Sequence, residues 1–97
     1  MAIQWSEFAL ESLLEIVIWF ELEAGRQVAS SVQNRIWRQV EKVEGFEMSI
    51  PASDVYPGTR KLVISNLPYV AFIRRLSGTD WQVVDIVHTS RKLPKVL

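Results

Sequence analysis

Ninety-seven residues with no cysteine, a formal net charge of zero and 48% hydrophobic content describe one small packed domain. They exclude a disordered chain, a disulfide scaffold and a thiolate zinc site. The opening Met-Ala-Ile-Gln-Trp-Ser-Glu lacks the basic region of a signal peptide, and the longest apolar run, Ile16 to Phe20, is far too short for a bilayer. A cytoplasmic protein without a membrane partner is therefore expected.

The neutral average conceals a polarity. Residues 1–23 carry five acids (Glu7, Glu11, Glu15, Glu21, Glu23) and no Lys or Arg, whereas residues 55–97 carry seven cations against Asp80 and Asp85. A molecule polarised this way presents a basic end to something anionic. An equally good account is that the first helix needs solvating glutamates.

In chain order, Ile3 to Trp5 is short and β-prone and reads as a first strand. Ser6 is placed to cap a helix, with Glu7 in the first turn where the helix dipole favours an anion. From Glu7 to about Glu23 the positions Phe8, Ala9, Leu13, Ile16, Val17 and Phe20 have helical spacing. Leu10, Leu14 and Ile18 form a second apolar stripe beside them, making the helix wider on its apolar side than one sheet requires. Gly25 ends it. A second helix is expected from about Gln27 to Glu44, with Ala29, Val32, Ile36, Val40 and Val43 on one face. A corner as short as Ala24-Gly25 packs two helices antiparallel. Trp19 and Trp37 fall off the inner faces and are expected to be partly exposed.

Glu44 to Gly58 reads as a loop, after which the period changes to two. Thr59–Ser65, Tyr69–Leu76 and Trp81–His88 are three strands joined by Asn66-Leu67-Pro68 and by Ser77-Gly78-Thr79-Asp80. The expected class is α+β, ordered β-α-α-β-β-β. An N-terminal strand and a helical hairpin cover one face of a small, mostly antiparallel sheet. The whole of residues 1–97 is read as one domain, with the tail 92–97 loosely held.

These residues resemble a family. Pro57-Gly-Thr-Arg-Lys-Leu62 opens one strand, Pro68-Tyr69-Val70 the next, and Val87-His88-Thr-Ser-Arg91 closes the last. In that order, behind Trp5-Ser6 and a Glu-x-x-Leu-Leu-Glu-Ile helix, they are similar to the RelE/ParE toxins of bacterial type II toxin–antitoxin pairs. The wording is closer to the ParE branch. The resemblance implies one of two activities. ParE-like members bind and inhibit DNA gyrase without nuclease chemistry; RelE-like members cleave mRNA on the ribosome without a metal.

Cleavage by 2′-hydroxyl attack needs a proton acceptor, a proton donor and cations for the developing phosphorane. The matching set here is Arg60, Arg74 and His88, the only histidine. RelE-like nucleases, however, usually carry lysines before the second strand, where this chain has Ser53 and Asp54, and several use a late tyrosine, whereas the last here is Tyr69. The expectation is therefore a gyrase ligand rather than an enzyme, with no catalytic residue, cofactor or metal. Its target-binding residues are Arg60, Arg75, His88, Arg91 and Lys92. Each has a plainer role: Arg60 in an ion pair with Asp85 or Glu47, His88 as a structural strand-end residue, Arg74 or Arg75 solvating an outer face, and the basic tail aiding solubility.

The resemblance also implies a cognate antitoxin whose C-terminal segment folds along the toxin in a hetero-oligomer. The apolar stripe Leu10, Leu14 and Ile18, with Trp19 and Trp37 as aromatic anchors, is the expected antitoxin-binding surface. The plainer readings are a homodimer face or a thick core. A degenerate, non-toxic member that only binds its antitoxin is a further alternative, because Glu47 to Val55 replaces the Gly- and Arg-rich wording expected there.

Overall fold

The computed structural model describes residues 3–43, 50–78 and 80–90. Its elements are β1 (Ile3–Trp5), α1 (Glu7–Ala24), α2 (Arg26–Glu41), β2 (Arg60–Val63), β3 (Tyr69–Arg75) and β4 (Trp81–His88). They form one four-stranded sheet in the order β1-β4-β3-β2. β1 runs parallel to β4, while β2, β3 and β4 form an antiparallel meander. The expected α+β class and β-α-α-β-β-β order are both observed.

β3 explains why the molecule has two apolar layers. Five consecutive residues, Tyr69 to Ile73, are buried, which a strand achieves only when both faces are covered. Tyr69, Ala71 and Ile73 join Ala9, Leu13 and Ile16 of α1 and Val32, Ile36 and Val40 of α2 in the main core. Val70 and Phe72 point the other way, into a smaller cluster with Val87, closed by Val55 and Tyr56 of the loop before β2. The hairpin of helices covers one face, as the spacing predicts; the loop covers the other. Ser53 shapes that loop, its Oγ accepting from the N–H groups of Val55 and Tyr56 at 3.0 and 3.3 Å, in the way serine commonly builds turns.

α1 starts at a cap and ends at a glycine. Ser6 Oγ accepts from Ala9 N–H at 3.0 Å and donates to Val84 C=O at 2.9 Å, so one hydroxyl both caps the helix and fastens it to β4. Gly25, at φ 94°, ends α1 and begins α2, a backbone angle that side-chain-bearing residues rarely adopt. The reversal brings the late-α2 residue Trp37 back beside Trp5, just ahead of α1. The helices are therefore antiparallel.

Several boundaries and one side chain differ from expectation. α2 ends at Glu41, capped by Lys42 N–H bonding to Arg38 C=O, rather than at Glu44; Val43 still packs into the core, and residues 44–49 lie outside the described set. β2 is shorter than Thr59–Ser65. Thr59 turns its N–H and hydroxyl back onto Tyr56 C=O, and Asn66 takes a left-handed turn at φ 63°. β3 stops at Arg75, one residue before Leu76. Phe8 is 63% exposed, not on the core face. At 100° per residue it falls into the row Phe8, Ser12, Glu15, Trp19, away from Ala9 and Ile16.

The register shift between Phe72 and Ile73, where Ile73 faces Val83 and Phe72 faces Asp85, leaves Val84 as an extra residue in β4. Strict alternation from Val83 would put Asp85 and Val87 on the helix side. The bulge sends Ile86 there instead and Val87 to the far layer. It also carries His88 round beside Tyr69.

Candidate functional site

The register of β3 separates the expected target-binding residues into two ends. Arg60 lies opposite Ile73, and Arg75 lies opposite Trp81. His88 lies opposite Tyr69, at the other end of the strand. Four, five and six residue steps at about 3.3 Å each put Arg60, Arg74 and Arg75 roughly 13, 17 and 20 Å along β3 from His88. The set Arg60, Arg74 and His88 therefore does not converge on one phosphate-sized site. Arg91 and Lys92 lie outside the described residues.

Each arginine already has a local task. Arg60 Nη1 donates to Ile50 C=O at 2.7 Å, pinning the loop to β2. Asp85 is occupied elsewhere: it is buried and its Oδ1 accepts from Ser12 Oγ at 2.7 Å and from Ile86 N–H at 2.8 Å. Glu47, the other partner considered for Arg60, lies outside the described residues. Arg74 Nε donates to Gln82 Oε1 at 2.8 Å. The Arg75 guanidinium sits 5.1 Å from the ring centroid of buried Trp81, a cation–π contact of about 0.5–1 kcal/mol at an exposed site. Arg74 and Arg75 thus do project to opposite sides of the strand.

His88 lines a cavity of about 900 Å³ between α1 and the His88 end of the sheet, with Ser12, Glu15, Trp19, Phe20 and Tyr69 also in its wall. Its ring meets Tyr69 edge-on at 5.3 Å, and Tyr69 in turn meets Phe20 at 6.4 Å. Its Nδ1 accepts from Ser90 N–H at 3.1 Å and lies 2.6 Å from Ser90 Oγ.

The expected antitoxin-binding stripe lies open. Leu10, Leu14, Ile18 and Trp19 are between 46% and 58% exposed, and Leu22, one turn beyond Ile18, is 81% exposed. Four apolar residues at successive i+4 positions make a contiguous ridge, larger than solvation of a monomer favours. Trp37 belongs to a different setting: its ring stacks on Trp5, so one of its faces is already covered.

A second feature was not singled out in the sequence. Arg35 and Arg38 of α2, with Lys42 at its C-cap, line a groove of about 1200 Å³ against the outer edge of β2. Their i, i+3, i+7 spacing is legible in the sequence, but it reads there as the solvated side of a helix. Only the fold shows that β2 is an edge strand facing it. Among the described residues no group of His, Cys, Asp and Glu is arranged to hold a metal, and no helix is long and apolar enough to cross a membrane.

No family model matches this chain, and no curated protein matches it. Solved structures do. One is the chromosomal ParDE TA (toxin–antitoxin) system from P. aeruginosa, matched at a TM-score of 0.81 and 24% identity over 93% of this chain and 97% of that one. This establishes the fold, shared over nearly the full length of both chains. It agrees with the resemblance to RelE/ParE toxins carried by the three strand-opening and strand-closing motifs.

Proposed function

We propose that this protein is the toxin of a type II toxin–antitoxin pair, ParE-like in mechanism, which binds and inhibits DNA gyrase in the cytoplasm and is neutralised by a cognate antitoxin in a hetero-oligomer. The observation that carries the reading is the near full-length fold likeness to the ParDE system, added to family-like motifs in the right order on matching strands. In this reading the protein is a ligand and holds no catalytic residue. Arg60 and Arg75 present positive charge toward one end of the sheet and His88 stands at the other; Arg91 and Lys92 are the remaining target-binding residues of this reading. The antitoxin covers the ridge of Leu10, Leu14, Ile18 and Trp19, with Trp37 as a further anchor.

A RelE-like, ribosome-dependent mRNA endoribonuclease is the alternative, and one observation favours it: His88 lines a cavity large enough for a nucleotide. The roughly 13–17 Å along β3 between His88 and the positions of Arg60 and Arg74 weighs against it. A degenerate, non-toxic antitoxin-binding member is the third reading.

The deciding experiment is a gyrase supercoiling assay with the purified, folded chain freed of any antitoxin. Loss of supercoiling with cleaved DNA trapped by gyrase is the expected result. Unimpaired supercoiling together with mRNA cleavage on translating ribosomes would establish the alternative instead. Neither effect, with growth unaffected by unopposed expression, would leave the antitoxin-binding reading.

A further inference from the structure

The cavity between α1 and the His88 end of the sheet combines three features to which no role has been given. The first is an open strand edge. β1 pairs with β4 only over Trp81–Val83, and among the described residues no strand lies beside the rest of that edge. Thr89 N–H donates to Pro68 C=O, toward β3, whereas Ile86 N–H donates to the Asp85 carboxylate, away from it. Alternate residues of an antiparallel strand turn both backbone groups the same way, so Ile86 and His88 face outward. Both residues line the cavity, and their outward Ile86 C=O and His88 N–H have no hydrogen-bond partner among the described residues.

The second is a run of rings. Trp19 meets Phe20 edge-on at 5.0 Å, Phe20 meets Tyr69 at 6.4 Å, and Tyr69 meets His88 at 5.3 Å. All four line the cavity. Trp19 is exposed, so its indole keeps open π surface at the cavity mouth. The third is an uncompensated carboxylate. Glu15 stands one turn before Trp19 on the same side of α1 and lines the same cavity. It has neither an ion-pair nor a hydrogen-bond partner among the described residues. Ser12, one turn earlier, is already engaged as donor to Asp85 Oδ1.

Together these features select a ligand. The Glu15 carboxylate and Ile86 C=O are both acceptors and call for donors. Open π surface beside a carboxylate favours a cation. A nucleotide would bring its phosphate against α1, and residues 1–23 hold five acids and no Lys or Arg. An ammonium is a compact point charge with no flat face to lay on an indole. A guanidinium is planar and always charged, and its five N–H donors can serve a carboxylate and a carbonyl while it stacks on a ring. We infer that this cavity binds a guanidinium group, stacked on Trp19 and donating to the Glu15 carboxylate and to Ile86 C=O. Its source is either a free guanidino compound or an arginine side chain of a bound polypeptide. The inference does not depend on gyrase inhibition, and a negative supercoiling assay leaves it standing.

The test is an amide NMR titration of the isotope-labelled full chain with agmatine. Three further probes are putrescine, which carries an ammonium in place of the guanidinium on the same carbon chain, a capped glycyl-arginyl-glycine tripeptide, and guanosine monophosphate. Arg91→Gln is titrated in parallel, to remove the chain's own nearest guanidinium in sequence. Agmatine is expected to give saturable shifts of the Trp19 indole N–H and the His88 amide, at about millimolar concentration, and to bind about five-fold or more tighter than putrescine. Glu15→Gln keeps the shape of an exposed side chain and should weaken binding about five-fold. Trp19→Leu should weaken it several-fold by removing the π surface. If that variant fails to fold, Glu15→Gln decides the point. A tripeptide that binds tighter than agmatine assigns the source to a side chain, and one that binds more weakly assigns it to a free compound; either result sustains the inference. No saturable shift at Trp19 and His88 in either chain, putrescine as tight as agmatine, undiminished binding to Glu15→Gln, or tighter binding of guanosine monophosphate would each overturn it.

Discussion

The indole of Trp37 lies flat on that of Trp5, with ring centroids 4.8 Å apart and planes within 3° of parallel. This contact ties the end of α2 to the strand that precedes α1, so it closes the helical hairpin at the end opposite Gly25. Trp37 is 39% exposed, and the stack is therefore only half in solvent. Trp37→Ala should lower stability by about 2 kcal/mol, less than a fully buried tryptophan would cost but more than its area alone. Chemical denaturation followed by far-UV circular dichroism measures this. Trp37→Phe should recover about half the loss. If an antitoxin also contacts Trp37, its binding must be compared among variants of matched stability.

Ser6 holds two bonds with one hydroxyl, accepting from Ala9 N–H and donating to Val84 C=O. Ser6→Ala removes the cap and leaves the bulge carbonyl with one partner fewer. The expected cost is about 1–2 kcal/mol. Ser6→Asp keeps the acceptor but has no proton to donate to Val84. It should recover the capping part only, so that a denaturation midpoint between wild type and alanine separates the two roles.

Much of the architecture is legible because each signal is local. The helical spacing of Ala29, Val32, Ile36 and Val40 needs one face, and all four are buried. Ser6 and Gly25 act at the positions where they stand. The β4 bulge is not legible, because an extra residue such as Val84 changes no residue type, only the partner each residue meets. The placement of His88 beside Tyr69 follows from that bulge. For the same reason Arg60, Arg74 and His88 read as one reactive set in a list of residues yet stand at two ends of a strand. The α2 cations became a candidate site only once β2 was known to be the sheet edge beside them.

Tyr56 packs edge-on against Phe72 at 4.7 Å, where the loop closes the second apolar layer. Its phenol is pushed above the ordinary value of 10.0, first by burial and then by the nearby Asp85 carboxylate. The unfolded chain therefore gives up this proton at a lower pH than the folded one. The stability linked to Tyr56 is fully present below about pH 10 and is lost as pH rises through the folded value. Thermal melts between pH 9 and 11.5 should show the loss in the wild type and a shallower slope in Tyr56→Phe. Asp85→Asn should also flatten the slope, although it will lower stability throughout by leaving Ser12 with a weaker acceptor.

The α1 ridge offers the sharpest division between folding and partner binding, because adjacent leucines face opposite ways. Leu13 is 5% exposed and sits in the main core, whereas Leu14 is 58% exposed. Leu13→Ala should cost about 2–5 kcal/mol by leaving a cavity between α1 and the sheet. Leu14→Lys should change stability by no more than about 0.5 kcal/mol, since lysine is a good helix former and Glu11 and Glu15 flank it. If the ridge is where the antitoxin docks, Leu14→Lys should weaken the complex by roughly ten- to hundred-fold while the free protein stays folded and toxic. Calorimetric titration against the antitoxin measures the first effect, and co-expression growth assays the second. Unchanged affinity in a folded Leu14→Lys variant would move the neutralising surface off α1.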